Sequence, residues 1–211
     1  MGLTLINMNI PAGRYAHSMS TYTHRKKDPE RLQEQLLEAA SIIAAKNGIA
    51  ALSLNAVATQ AGVSKGGLLH HFPGRQELIH ALFIRLLAVM DRGIMALMAA
   101  DPNPRGRFSR AYLMYLASIS ETDTSRQLAL LSLAMPDEKV LRKCWRDWVL
   151  QHLAQADELD RSYVGNLVRY GADGLWLSEL TEGVTMAPED RQALVSRLTA
   201  MTYEESWNPS Q

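Results

Sequence analysis

The chain has 211 residues, of which 47% are hydrophobic and 21% charged, and its 22 basic side chains balance 22 acidic ones. This composition is typical of a globular protein of one or two domains and excludes a disordered chain, and no apolar run approaches the ~18–20 residues of a membrane-spanning helix. The single cysteine, Cys144, excludes an intrachain disulfide and a cysteine-based zinc site, so we expect a reducing, cytoplasmic location.

The zero net charge conceals an uneven distribution along the chain. Residues 19–76 carry seven basic against four acidic side chains, whereas residues 77–211 carry 14 basic against 18 acidic ones. A basic region favours contact with an acidic partner such as nucleic acid. The imbalance therefore indicates different binding surfaces in the two parts of the chain.

The first predicted helix follows a segment without helical periodicity. We interpret residues 1–18 as an unstructured leader and residues 1–27 as a flexible arm. Asp28 can accept hydrogen bonds from the first N–H groups of a helix, and Pro29 suits its first position. Apolar residues then recur every three or four positions until Gly48, where a glycine at positive φ can end the helix.

The remaining elements are predicted to be helical as well. Ser53 and Ser64 each predict the N-cap of a short helix, and Gly62 between them can adopt the positive φ of a tight corner. After Pro73 an apolar pattern runs to about residue 100, which predicts a rod of roughly 40 Å. Further helices are predicted at 107–120, 125–135, 137–158, 160–180 and 188–203. Alternating β-type runs are missing, so the predicted fold class is all-α, with three short helices followed by a bundle of about six longer ones.

Two short helices joined at Gly62 are typical of a helix-turn-helix, whose second helix enters the major groove of DNA. Residues 64–67, Ser-Lys-Gly-Gly, open this second helix with little side-chain bulk, so its N–H groups and Lys65 can approach phosphates closely. Nearby histidines and basic residues offer further donors to phosphates or base edges. The predicted DNA contacts are Arg25, Lys26, Ser53, Ser64, Lys65, Gly66, Gly67, Leu68, His70, His71 and Arg75.

Other interpretations of this segment have weaker support. The Ser-Lys-Gly-Gly run lacks the Walker order of a nucleotide-binding loop. His70 and His71 point about 100° apart on a helix, so they cannot chelate one metal as an i,i+4 pair does, although plain solvation explains them as well as DNA contact. No nucleophile-elbow, zinc-protease or paired-cysteine motif occurs, so we predict no enzyme activity, no cofactor and no metal site.

One ordered block of residues carries a family resemblance. It consists of LLEAA at 36–40, Gly48, SLNAVA at 53–58, AGVSKG at 61–66 and HHFPGRQEL at 70–78. This block resembles the DNA-binding domain of the tetracycline-repressor (TetR) family. The resemblance implies a homodimeric, ligand-responsive transcription regulator, usually a repressor, whose C-terminal helices form the effector pocket and the dimer interface.

The resemblance has three departures at the DNA-binding segment. Gly67 stands where the family commonly has threonine, and Leu69 stands where it has a tyrosine that often touches phosphate. Arg75 replaces the usual lysine and keeps its charge. Phosphate contacts therefore carry over to Ser53, Lys65, His71 and Arg75, whereas the base-reading residues stay open.

The predicted organisation and function follow from this resemblance. The segments are a flexible arm (1–27), a helix-turn-helix domain (28–74), an effector-binding and dimerisation domain (75–204) and a C-terminal tail (205–211). A homodimer is expected to bind a pseudo-palindromic operator and to be released by a small lipophilic or cationic molecule. The segments GGLLHHF and ADGLWL, at 66–72 and 172–177, resemble a multidrug-sensing subgroup. The alternative is an activator, or a DNA-binding protein without a small-molecule effector.

Residues of the C-terminal helices are candidates for the effector site and the dimer interface. Methionine and aromatic residues suit an adaptable apolar cavity, although each alone is better explained by core packing. Asp173 shares a helical stripe with Arg169, which favours an ion pair between them over a contact with a cationic ligand. A stripe of small residues allows close helix contact, either with a second copy or within the chain. The predicted ligand contacts are Met90, Ile94, Tyr112, Tyr115, Met135, Trp148, Asp173 and Trp176. The predicted dimer contacts are Gly171, Gly174, Leu175, Ser178, Leu194 and Leu198.

Overall fold

The structure, a computed structural model, describes residues 29–118, 139–181 and 186–203. Within these ranges it contains nine α-helices, one 3₁₀ turn and no strand, which confirms the all-α prediction. The helices are α1 (Pro29–Asn47), α2 (Leu54–Ala61), α3 (Lys65–His71), α4 (Arg75–Ala100), α5 (Arg107–Ser118), α6 (Lys139–Gln155), α7 (Glu158–Arg161), α8 (Tyr163–Thr181) and α9 (Pro188–Met201), and the 3₁₀ turn is Ile49–Ala51. None of the helices in these ranges is both long and apolar enough to cross a membrane.

Some predicted elements lie outside the described residues. These are the arm at 1–27 with Arg25 and Lys26, the helix at 125–135 with Met135, and the tail at 205–211.

The caps of the short helices agree with the sequence. The Ser53 hydroxyl accepts a hydrogen bond from the Ala56 N–H at 3.1 Å, and the Ser64 hydroxyl accepts one from the Gly67 N–H at 3.1 Å. Gly62 adopts φ 67° and ψ 31°, the left-handed conformation that a side chain would disfavour. Because these signals are local, residue type alone predicts where α2 and α3 begin and where the corner lies.

The predicted helices at 137–158 and 160–180 are wrong at their junction, where the short α7 lies between α6 and α8. Asp157 caps α7, since its carboxylate accepts from the Asp160 N–H at 3.0 Å. The Asp160 carboxylate in turn accepts from the Ser109 N–H, at 2.8 Å, at the start of α5. Both acidic residues therefore cap helices, and the partner of Asp160 lies 51 residues away, where local periodicity gives no information.

The long helix α4 connects the two halves of the molecule. On the α1 side, Arg85 binds Glu34 and Glu38 at 2.8 and 2.7 Å. On the α5 side, Gly93 lies so close to Tyr115 that a Cβ on the glycine would be 2.1 Å from the ring. Buried side chains of both halves form one hydrophobic cluster. α4 thus belongs both to the helix-turn-helix half and to the C-terminal bundle.

Candidate nucleic-acid interface and effector site

The first turn of α3 presents nearly bare backbone to solvent. Lys65 and Gly66 are exposed, and a Cβ on Gly66 would meet nothing within 4 Å. A Cβ on Gly67 would lie 3.3 Å from the Ser64 hydroxyl. His70 is exposed and His71 is half-buried one turn later. This surface allows a phosphate backbone to come close to the main chain while Lys65 supplies a positive charge.

Leu68, predicted as a DNA contact, is fully buried, so that prediction is wrong. The residue follows Ser64 by one helical turn and lies on the side of α3 that joins the hydrophobic cluster. An apolar side chain on this side stabilises the position of α3, and exposed residues on the other side are left for contact with a partner.

Arg75, the predicted phosphate contact at the start of α4, is engaged within the protein. Its Nε donates to the Leu52 carbonyl at 2.6 Å, and its Nη2 donates to the Ile49 carbonyl at 2.8 Å. These carbonyls belong to the chain between α1 and α2, so the guanidinium ties the start of α4 to the helix-turn-helix. Arg75 therefore has a positioning role, and a phosphate contact through its remaining nitrogen stays a prediction.

The predicted Arg169–Asp173 ion pair is not found among the described residues. The Tyr112 hydroxyl donates to the Asp173 carboxylate at 2.5 Å. Arg169 donates instead to the Ser109 hydroxyl at 2.8 Å and to the Asp160 carbonyl at 2.7 Å. Spacing placed both residues on one stripe, but two partners of Arg169 lie on α5 and α7, whose positions the sequence does not show, and a third is Asn166 on α8 itself.

Burial perturbs both members of the Tyr112–Asp173 pair. It raises the pKa of Asp173, against the opposing effects of the Tyr112 hydrogen bond and of the nearby Arg169 charge. Burial and the neighbouring Asp173 carboxylate raise the pKa of Tyr112 well above its ordinary value. Burial of a carboxylate without an ion pair is costly, and a bound cation would stabilise its charged form.

Other predicted ligand contacts lie in the buried core. Met90, Ile94 and Trp176 are buried, and Tyr115 covers Gly93. Trp148 is 9% exposed and packs against aromatic neighbours. These positions agree with core packing, and contact with a ligand stays a prediction for each of them.

The sequence did not single out Asp91, which forms a second polar centre between α4 and α6. Its Oδ1 accepts from the Trp148 indole N–H at 2.9 Å and lies 2.7 Å from His152 Nε2. The His152 ring stacks on Phe108, with ring centroids 4.7 Å apart. Trp148 and His152 are four residues apart on α6, which places them on one face, but Asp91 is 57 residues from Trp148. The spacing on α6 was the available signal, and it did not reveal the partner on α4.

Three of the predicted dimer contacts turn inward. A Cβ on Gly171 would lie 2.9 Å from Leu198 Cδ1, and Leu198 and Leu175 are buried. These contacts agree with the intrachain alternative, because α8 and α9 pack against each other along this stripe, and contact with a second copy stays a prediction for these residues. Ser178 is half-buried and donates to the Leu175 carbonyl at 3.0 Å.

Gly174 and Leu194 lie on the outer surface of α8 and α9. Gly174 is exposed, and a Cβ there would meet nothing within 4 Å. One turn away on α8, the Tyr170 side chain is 69% exposed. Leu194 on α9 is also exposed. The two helices therefore carry an outward surface with large apolar groups, which stays a candidate dimer interface.

Two family models match the chain, and together they cover more than half of it. The model of the tetR family of bacterial regulatory proteins matches residues 36–82, which contain α2 and α3. The model of the tetracyclin repressor-like C-terminal domain matches residues 106–203.

Solved structures of similar fold agree with these matches. A transcriptional regulator from Rhodococcus sp. Rha1 is 19% identical with a TM-score of 0.65, over 81% of this chain and 95% of that one. The multidrug binding protein EbrR, solved with ethidium, is 24% identical with a TM-score of 0.61, over 82% of this chain and 99% of that one. A TetR family transcription regulator from Marinobacter aquaeolei VT8 is 13% identical with a TM-score of 0.61, over 82% and 95% of the two chains. The chain belongs to the TetR family of transcriptional regulators.

Proposed function

We propose that the protein is a homodimeric repressor that binds a pseudo-palindromic operator through α3 and is released by a small lipophilic or cationic molecule. The observation that carries this proposal is the exposed first turn of α3, where a lysine stands beside two glycines on a helix fixed from behind by buried Leu68. Such a helix can enter the major groove while its main chain approaches the phosphates. The proposed binding of DNA by α3 requires no catalytic step.

Two copies are needed for specific DNA recognition. One α3 is seven residues long and reaches only a few base pairs, whereas two copies related by a two-fold axis read both halves of a palindrome. The outward surface with Tyr170, Gly174 and Leu194 is the proposed contact between the copies. A two-fold contact is self-complementary, so each copy contributes the same surface.

α4 is the element through which the two functions are coupled. It begins at Arg75, which binds the carbonyls of Ile49 and Leu52, and it contacts α1 again through Arg85. It also lies against α5 and α6. A shift of α4 by a bound ligand would therefore move α3, and a coupling of about 1–3 kcal/mol reduces operator affinity ~5–150-fold.

A cationic effector is supported by the Tyr112–Asp173 pair. The Asp173 carboxylate is half-buried, accepts a hydrogen bond from the Tyr112 hydroxyl and has no ion pair among the described residues. EbrR, whose fold is similar, was solved with ethidium, an aromatic cation, which makes ethidium a suitable first probe in an effector screen.

The experiment is equilibrium DNA binding across a range of salt concentrations, with duplexes from the region that flanks the gene. Replacing Lys65 by alanine is expected to weaken binding to all sequences. It should also reduce the magnitude of the negative slope of log K against log salt concentration by about one, as for one lost phosphate contact. Lys139→Ala, an exposed lysine at the start of α6, is the matched control and should leave the slope unchanged. A sequence-selective loss for Lys65→Ala with the wild-type slope would contradict the proposed role.

A further inference from the structure

A cleft of about 310 Å³ lies between α4 and α6, beside the Asp91 centre. Met95, Met98 and Trp148 supply apolar walls, and Asp91 and His152 supply polar groups. The Asp91 side chain is 38% exposed, so its carboxylate faces solvent. The cleft is therefore a place, lined by residues other than Tyr112 and Asp173, where a small molecule can reach a carboxylate.

Among the described residues that line the cleft, Asp91 supplies a carboxylate and none is a lysine or an arginine. His152 is the basic group that faces this carboxylate, with its Nε2 2.7 Å from Asp91 Oδ1. Asp91 Oδ1 already receives the Trp148 N–H and faces His152, whereas Oδ2 has no hydrogen bond to the described part of the chain. A carboxylate oxygen in this state can accept a charge-assisted hydrogen bond from a cationic donor.

The walls favour a flat aromatic ring. Trp148 offers an indole, and methionine thioethers are polarisable groups that adapt to aromatic surfaces. An anion would meet Asp91 with like charge, and a neutral ring would gain only the apolar contacts.

We propose that this cleft binds a small aromatic monocation, with its cationic group on Asp91 and its ring against Met95, Met98 and Trp148. Amidinium and aromatic ammonium compounds have the required chemistry. The volume accommodates a single ring with its cationic substituent.

The site lies on the helix that joins the two halves. Asp91 follows Arg85 on α4, and Arg85 is bound to Glu34 and Glu38 of α1. A cation that draws Asp91 away from His152 would alter the contact between α4 and α6. This coupling to DNA rests on the proposed function, whereas binding in the cleft does not depend on it.

The test is isothermal titration of the full-length protein, without DNA, with benzamidinium, benzamide and benzoate, which have similar shapes and different charges. Wild-type protein is expected to bind benzamidinium about tenfold or more tightly than the other two. Asp91→Asn should remove this preference, because the amide retains an oxygen for the Trp148 N–H but loses the charge. Asp147→Asn, the same change at an exposed residue of α6, should retain it.

Several outcomes would overturn the proposal. They are absence of benzamidinium binding at millimolar concentration, equal binding of all three compounds, and retention of the preference in Asp91→Asn. Loss of the preference in Asp173→Asn instead would place the cation at the buried pair. Operator binding is measured separately with DNA alone, so a failure there would reject the proposed function and leave the titration result standing.

Discussion

Gly66 lies in the first turn of α3 and Gly93 in the interior of α4, and the surroundings of these two helical glycines differ. We expect Gly66→Ala to raise the free energy of unfolding by up to about 1 kcal/mol, because alanine favours helix and meets nothing within 4 Å. The same change should weaken operator binding, since a methyl group would stand where the DNA backbone approaches. Gly93→Ala should lower the free energy of unfolding by about 1–3 kcal/mol, because its Cβ would be 2.1 Å from the Tyr115 ring.

Denaturant unfolding and DNA titration of both variants check this contrast. Shifts of the unfolding free energy in the same direction would contradict it. So would a Gly66→Ala variant that binds operator as tightly as wild type, because the bare backbone would then have no role in the contact.

Asp173 predicts a pH dependence of stability. Its pKa is raised by burial in the folded state, so folded protein binds more protons than unfolded protein between the ordinary and the raised pKa. The contribution of the protonated Asp173 carboxyl to the free energy of unfolding is therefore complete below the ordinary pKa, and it is lost as pH rises through the raised pKa. We expect Asp173→Asn to remove this loss, so that its free energy of unfolding increases relative to wild type as pH is raised.

Tyr112→Phe supplies the matched comparison, checked by urea unfolding across pH. The Tyr112 hydrogen bond lowers the pKa of Asp173, so its removal should extend the loss of stability to higher pH. Identical pH profiles for wild type and Asp173→Asn would show that the Asp173 carboxyl does not titrate differently on folding.

At the scale of elements, Arg75 separates positioning from direct contact. Arg75→Ala removes two hydrogen bonds from a charged donor to the carbonyls of Ile49 and Leu52. We expect the free energy of unfolding to fall by about 1–3 kcal/mol and operator affinity to weaken, because the support of the helix-turn-helix is lost. The salt slope should keep its wild-type value, in contrast to Lys65→Ala. A slope whose magnitude falls by about one would contradict this expectation and support the phosphate contact predicted from sequence.

The same scale shows what local sequence determines. Serine caps and Gly62 fix the bounds of α2 and α3, because each signal acts within four residues. The junction of α6, α7 and α8 was not predictable, since Asp160 is held by N–H groups of α5. Periodicity alone continues a helix through such a residue.

The candidate site divides in the same way. The Ser-Lys-Gly-Gly pattern predicts that Lys65 and Gly66 are exposed. The burial of Leu68 depends on the orientation of α3 against the hydrophobic cluster, which only the packed structure supplies. Asp91 and His152 are 61 residues apart and could not be paired from sequence.

At the scale of the whole molecule, the outer surface of α8 and α9 predicts the oligomeric state. Gly174→Glu would place a charge within the proposed two-fold contact and should convert a dimer into a monomer with intact secondary structure. Ala154→Glu, an exposed alanine on α6, is the matched control and should remain dimeric. Sedimentation velocity measures both, and a dimeric Gly174→Glu protein would place the interface elsewhere.

Selection of bound sequences from a library of random DNA duplexes tests the central claim most directly, because it does not depend on where the operator lies in a genome. A dimer that reads DNA with two α3 helices should enrich two inverted half-sites with centres about 10 base pairs, or a multiple of one helical turn, apart. Enrichment of a single asymmetric half-site, or no enrichment while salt-sensitive binding persists, would contradict a dimeric operator-binding regulator.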